Sequence, residues 1–237
     1  MTTPTWAIGN FSADALSTSL ATNLPAPVVA GDILLASGAF FGTGARSFTS
    51  NGTGTWINIY DDGAARKSTW ICLDPQVGTS IVTANSALPG YFTVHIQAIP
   101  GMRLSGGTRT VSTLNAQPAL TPPDPFLTPS IAPAYPQFVV GYSFQVDVSA
   151  AILTAPGAGY NLSTGAGITG GVVRNAAEGD GLACVYGDFP AGAVVASGVW
   201  SAILTTLSWS VSIEKAAAAP GGVANNERLG IKLGIGI

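Results

Sequence analysis

Charge is what this sequence has least of. Asp, Glu, Lys and Arg make up 9% of 237 residues, against 47% hydrophobic, where soluble domains usually carry about 25% charged residues. Those side chains normally keep a free surface wet. Much of this surface is therefore expected to be covered by other chains or carried by Ser, Thr, Asn and Gly. The net charge of −3 leaves no basic stripe of the kind nucleic-acid binding requires, and no nucleic-acid partner is expected. The uncharged run from Ala191 to Ile213 has the length of a membrane-spanning helix. Its Ser/Thr load, its two-residue alternation, Gly192 and Gly198 argue against one, so no membrane insertion is expected. The opening M-T-T-P-T-W has neither a basic segment nor an apolar core of a secretory signal, which makes synthesis in a cytosol the expectation.

Chemistry-bearing motifs are missing as well. There is no H-E-x-x-H, no C-x-x-C pair and no P-loop. Ser143 in G-Y-S-F-Q lacks the second glycine of a nucleophile elbow and lies mid-strand. The single histidine, His95, sits on the less apolar face of its strand without supporting neighbours in sequence, so a structural role is expected. Asp61 and Asp62, and Glu178 with Asp180 in E-G-D-G, are the acidic groups in loops. Such groups offer oxygen ligands to Ca²⁺, but beside glycine they read first as turn formers. No two carboxylates are singled out as a glycosidase pair. No catalytic residue, cofactor or metal is expected. The two cysteines, Cys72 and Cys184, fall in apparent strands and read most simply as buried thiols. A disulfide between them stays open, because spacing alone does not decide it.

What is present is alternation with period two. From Ile203 to Ile213 one face carries Ile203, Thr205, Leu207, Trp209, Val211 and Ile213, and the other carries Leu204, Thr206, Ser208, Ser210 and Ser212. Only a pleated strand sorts residues this way, and at roughly 3.3 Å per residue it spans about 35 Å. Other strands are expected around Trp6–Phe11, Leu16–Thr22, Ile33–Phe41, Trp56–Tyr60, Lys67–Leu73, Ser80–Ala84, Tyr91–Ile99, Gln137–Val146 and Leu182–Tyr186. Gly31-Asp32 reads as a turn, Asp61–Arg66 as a hairpin loop, and Leu88-Pro89-Gly90 as a second turn. Gly42–Gly54 reads as a polar loop, and the Pro-rich Met102–Pro136 as irregular. No helical pattern of useful length occurs.

The chain repeats itself weakly at about a hundred residues. Each half runs from a Pro-rich approach into an apolar strand (Ile33–Phe41, Gln137–Val146), through a Gly-rich loop, to a long alternating strand (Tyr91–Ile99, Ile203–Ile213). That fits strands traded between two facing sheets. The expected fold is all-β, a jelly-roll-like antiparallel β-sandwich over residues 1–215. Residues 216–237 follow as an Ala/Gly/Pro linker and extended C-terminal tail. In that tail Leu229, Ile231, Leu233, Ile235 and Ile237 alternate with Gly or Lys, as in a strand that lacks a partner in its own domain. Trp56, Tyr60, Trp70 and Tyr160 lie in or beside loops and hairpins. The core is the first reading for Trp56 and Trp70, and a glycan platform of Trp56, Tyr60 and Tyr160 is the alternative. The sequons at Asn10, Asn51 and Asn161 carry little weight without a secretory signal.

The segment Pro27-Val28-Val29-Ala30-Gly31-Asp32-Ile33-Leu34-Leu35-Ala36, the Thr55-Trp56 turn, the strand Ser68-Thr69-Trp70-Ile71-Cys72 and the ending Trp209-Ser210-Val211-Ser212-Ile213 form a pattern over residues 16 to 214. It resembles bacteriophage virion proteins built on a jelly-roll β-sandwich. The resemblance implies a tail, fibre, baseplate or head-decoration component located in the virion, with other copies of itself and other virion proteins as partners. It carries over no catalytic residue. The tail after Lys215 has no counterpart in that pattern. The expected assembly surfaces are the tail residues, able to add a strand to a neighbour, and the face Thr206, Ser208, Ser210 and Ser212. That face is charge-free, so its own tail or a neighbouring subunit can cover it without stranding an ion. A virion-borne adhesin that binds a host surface glycan is the alternative function.

Overall fold

Ile33–Phe40 and Phe92–Ile99 are buried along their whole length on both faces, which places them inside a stack of sheets rather than at its surface. A computed structural model shows the stack. It describes residues 5–7, 16–40, 45–61, 67–100, 109–111, 115–117, 124–132, 136–145, 151–164, 168–174, 180–202 and 206–214. In the first half the strands are β1 (Thr5–Ala7), β2 (Ser17–Asn23), β3 (Ile33–Phe40), β4 (Arg46–Ser50), β5 (Trp56–Asp61), β6 (Lys67–Cys72), β7 (Ile81–Gly90) and β8 (Phe92–Ile99). The second half holds β9 (Arg109–Val111), β10 (Asn115–Gln117), β11 (Asp124–Leu127), β12 (Gln137–Gln145), β13 (Leu153–Pro156), β14 (Asn161–Leu162), β15 (Val172–Arg174), β16 (Gly181–Phe189), β17 (Ser197–Trp200) and β18 (Thr206–Glu214). The fold is all-β, and every strand pair among the described residues is antiparallel.

Four sheets result. The first half makes an outer sheet β2-β7-β4 and an inner sheet β1-β8-β3-β6-β5. The second makes an inner sheet β10-β18-β12-β16-β14, with β9 beside β18 and β15 beside β16, and an outer sheet β11-β17-β13. Strands are traded between the two facing sheets within each half (in the first, β1, β3, β5, β6 and β8 in one sheet and β2, β4 and β7 in the other), but not between the halves. Each half keeps its strands to itself, because each owns a central pair (β3 with β8, β12 with β18) that is apolar enough to anchor its own sandwich.

Alternation along the central strands sorts side chains into three cores. Leu34, Ala36 and Phe40 join Phe48, Val82 and Phe92 in the first, between the sheets of the first half. Ile33, Leu35, Ala39 and Ile71 meet Phe138, Val140, Tyr142, Trp209 and Val211 in the second, a seam between the two inner sheets. Val139, Ala183 and Val185 meet Phe126, Leu153 and Trp200 in the third. The seam makes the two halves one stacked body.

Local features follow the sequence where its chemistry is specific. Gly31 adopts φ 93°, a left-handed conformation that glycine takes at no steric cost. The backbone N–H of Val29 donates to Asp32 Oδ2 at 3.0 Å and closes that turn. β5 and β6 pair as the expected hairpin, with an irregularity between Asn58 and Tyr60. Three expectations are corrected. β4 lies inside the segment read as a polar loop, and β9, β10 and β11 lie inside the Pro-rich segment read as irregular. Pro125 is tolerated because β11 is an edge strand. β7 continues through the expected turn at 88–90, with a register shift opposite that stretch that frees Pro89 from the ladder.

No helix among the described residues is long and apolar enough to cross a membrane. The uncharged run 191–213 contains β17 and most of β18 instead. The tail 216–237, with Leu229, Ile231, Leu233, Ile235 and Ile237, lies outside the described residues.

Candidate functional site

Among the described residues, chemistry-bearing side chains converge in the seam. On β8, Thr93, His95 and Gln97 alternate with the residues that face the first core, and all three are fully buried. Gln97 Nε2 lies 3.4 Å from His95 Nδ1 and donates to Tyr142 Oη at 3.2 Å and Cys184 Sγ at 3.2 Å, on the opposite sheet. The His95 and Tyr142 rings meet edge-on at 6.0 Å. Nearby, Ser37 and Thr69 hydroxyls pair at 3.0 Å, and Trp209 Nε1 donates to Thr69 Oγ1 at 2.9 Å. Lys67 is buried with its ammonium 4.4 Å from the centroid of Phe144, the geometry of a cation–π contact.

Burial sets the protonation of this cluster. It lowers the His95 pKa to about 3, so the ring is neutral at pH 7. It raises Tyr142 well above its usual value, with the Cys184 charge adding to the effect. Burial also raises Cys184, and hydrogen bonds from Ser163 and Gln97 offset part of that. A neutral imidazole, a phenol and a protonated thiol share one amide, an arrangement suited to locking two sheets in register. Sequence inspection passed over Gln97, Tyr142 and Thr69. The usable signal is that β8 carries Thr, His and Gln at alternate positions of a strand apolar on its other face, so its polar face needs internal partners.

The Ser/Thr face of β18 is buried within the chain: Thr206 is 1% exposed, and Ser208, Ser210 and Ser212 are 0% exposed. It looks toward the outer sheet of its own half. Ser208 Oγ donates to Ser143 Oγ at 3.1 Å, and Ser143 Oγ also accepts from Trp200 Nε1 at 3.2 Å. Ser212 Oγ donates to Gln137 Oε1 at 2.6 Å, and Gln137 Nε2 donates to the carbonyls of Pro190 and Gly192. These partners sit on β12, β17 and the loop after β16, where the sequence suggested the tail or a neighbour.

The aromatic candidates are not brought together. Trp56 packs against the first core, its ring 5.8 Å from Phe48. Tyr60 stacks on Trp209 at 5.5 Å in the seam, and Trp209 stacks in turn on Tyr142 at 5.4 Å. Tyr160 belongs to the third core, 4.6 Å from Phe189. Trp70 packs against the first core. Of the acidic candidates, Asp61 lies 3.7 Å from Arg46 Nη1 and Asp180 is buried, while Asp62 and Glu178 lie outside the described residues. Among the described residues no group of three or more His, Cys, Asp or Glu is placed to hold a metal. Cys72 and Cys184 are free thiols in different cores, so the disulfide left open by the sequence is not formed.

No protein-family model, curated protein or solved structure matches this chain.

Proposed function

We propose that the protein is a non-enzymatic structural component of a bacteriophage particle, of tail, fibre, baseplate or head-decoration type. It is made in the host cytoplasm and assembles with copies of itself and with other virion proteins. The observation that carries the reading is a surface poor in charge that also exposes aliphatic side chains. Only 9% of residues are charged, and Lys67, Asp32 and Asp180 among them are buried. Val29 and Val77 are 58% and 60% exposed, on loops joined by a hydrogen bond from Gly78 N–H to the Val28 carbonyl. Leu127 and Val195 are 48% and 40% exposed in the second half. A surface of this kind suits burial against other chains better than life as a free monomer.

The repeated strand order lends support. In each half the opening strands lie beside the last, β1 with β8, and β9 and β10 with β18, as the first strand does in jelly-roll sandwiches. The alternating tail 229–237 supplies a segment for strand addition to a neighbour. The adhesin reading gains nothing comparable, because its three rings sit in three separate cores.

Two measurements test the proposal. Mass spectrometry of purified phage particles from the host that carries the gene should detect the chain as a stoichiometric component. Sedimentation velocity should show a closed oligomer for the full chain and a smaller species, with unchanged circular dichroism, for a chain ending at residue 222. Absence from the particles, or a full chain that stays monomeric and binds no virion protein, would refute it.

A further inference from the structure

The repeat allows a position-by-position comparison of the two halves, and they differ sharply at one place. Ile33 pairs with Ile99 in the first half, and Phe138 pairs with Ile213 in the second. Seven residues along from these pairs stand Phe40 with Phe92, and Gln145 with Thr206. Both later pairs face away from the seam. The phenylalanine rings meet edge-on at 5.3 Å and help to fill the first core. Gln145 and Thr206 occupy the matching place beside the third core, 0% and 1% exposed.

Neither amide atom of Gln145 and not the Thr206 hydroxyl has a hydrogen-bond partner among the described residues. The other described side chains of this polar face do have partners: Ser208 and Ser143 with Trp200, Ser212 with Gln137, and Ser210 with an interaction of its own. The unmet groups are therefore gathered at one end. Leaving a buried donor or acceptor unmet forfeits its hydration without return, and folded proteins meet such groups with ordered water when the chain itself does not. Gln and Thr stand where the first half has two rings, and the residue paired with Gln145 on β16 is Gly181. A Cβ there would fall 2.8 Å from Gln145 Nε2 and 2.9 Å from Val172 Cγ1, so the glycine is what lets the Gln145 amide lie at this end of the sheet.

The chemistry selects a small neutral ligand. An amide N–H₂, an amide carbonyl and a hydroxyl offer both donors and acceptors and no charge. The charged groups at this end of the sheet, Arg174 and Asp180, already have interactions of their own. We propose that Gln145 and Thr206 form an internal water-binding site between the two sheets of the second half, where the first half uses a pair of phenylalanine rings.

The test uses the full chain, labelled with ¹⁵N. Water-selective NOE and ROE spectra should show cross peaks from long-lived water to the Gln145 side-chain amide. Those peaks should weaken at least about twofold in Thr206→Val, which keeps the side chain's shape and removes one water ligand. Absence of the peaks, or peaks unchanged in Thr206→Val, overturns the site. Gln145→Met gives an independent readout. If water is bound, the variant strands it and the melting temperature falls; an equal or higher melting temperature means the amide was dry and overturns the proposal.

Discussion

Trp209 and Thr69 are 140 residues apart in sequence, yet the indole N–H of one donates to the hydroxyl of the other at 2.9 Å. The bond ties β18 to β6 across the seam, and Thr69 also meets Ser37 at 3.0 Å. Thr69→Val keeps the shape of the side chain and leaves a buried indole N–H unmet. It is expected to lower stability by about 1–3 kcal/mol. In a Trp209→Phe background the same substitution should cost less, by at least about 0.5 kcal/mol. Urea unfolding of the four proteins measures the coupling, and equal costs in both backgrounds would remove the bond from the account of how the halves hold together.

His95 makes a pH-dependent prediction that this chain can test cleanly, because it is the only histidine. Burial holds its pKa at about 3 in the folded protein, below the ordinary value of about 6.5 in the unfolded chain. As pH falls below about 6.5 the unfolded state takes up the proton first, so stability present above that pH is lost progressively toward pH 3. The slope approaches about 1.4 kcal/mol per pH unit. Urea midpoints at pH 7.5, 6 and 5 should decline for the wild type and stay nearly level for His95→Gln. Parallel declines in both proteins would assign the acid sensitivity to other groups.

The long central strands of the inner sheets were legible in sequence, as were β2 and the first half of β7, while several short strands were not, for a physical reason. β3, β8, β12 and β18 each lie within two or three residues of the expected bounds, because burial on one or both faces imposes a strong apolar pattern. β4, β11, β13 and β17 escaped notice. Each is only four or five residues long and brings one large fully or nearly fully buried residue to its core (Phe48, Phe126, Leu153 and Trp200). A strand that contributes a single anchor has no measurable period. The same limit explains the site. Trp56, Tyr60 and Tyr160 read as loop aromatics because the three cores that receive them arise from pairings far apart in sequence.

The two thiols provide a chemical check on the cores. Cys72 is buried, and burial, opposed in part by a backbone hydrogen bond at Asp74, pushes its pKa up to about 11. Complete burial raises Cys184 well above its usual value as well. Thiolate is the reactive form, so neither should react with a thiol reagent in the native protein at pH 8. Both should react on unfolding in the absence of reductant. A native protein that titrates one or two thiols, or an unfolded one that shows none until reduced, would contradict the packing.

The hydroxyl face of β18 gives the prediction that most changes the reading of this sequence. As a string of letters, Thr206, Ser208, Ser210 and Ser212 invite the idea of an assembly surface, since no charge would be trapped there. Their burial within the single chain, with Ser208 bonded to Ser143 and Ser212 to Gln137, moves the role inward. A lysine at Ser208 and Ser210 would have to lie inside the second sandwich, and a buried ammonium without a counter-charge costs several kcal/mol. That is a large share of the roughly 5–15 kcal/mol that holds a domain folded. The double substitution Ser208→Lys, Ser210→Lys is therefore expected to abolish soluble expression, or to lower the melting temperature steeply. Ser208→Ala should cost only about 1 kcal/mol, the worth of one neutral hydrogen bond. Circular dichroism melts of the soluble fractions decide it. A doubly substituted protein that melts like the wild type but no longer assembles would return this face to the outside of the molecule.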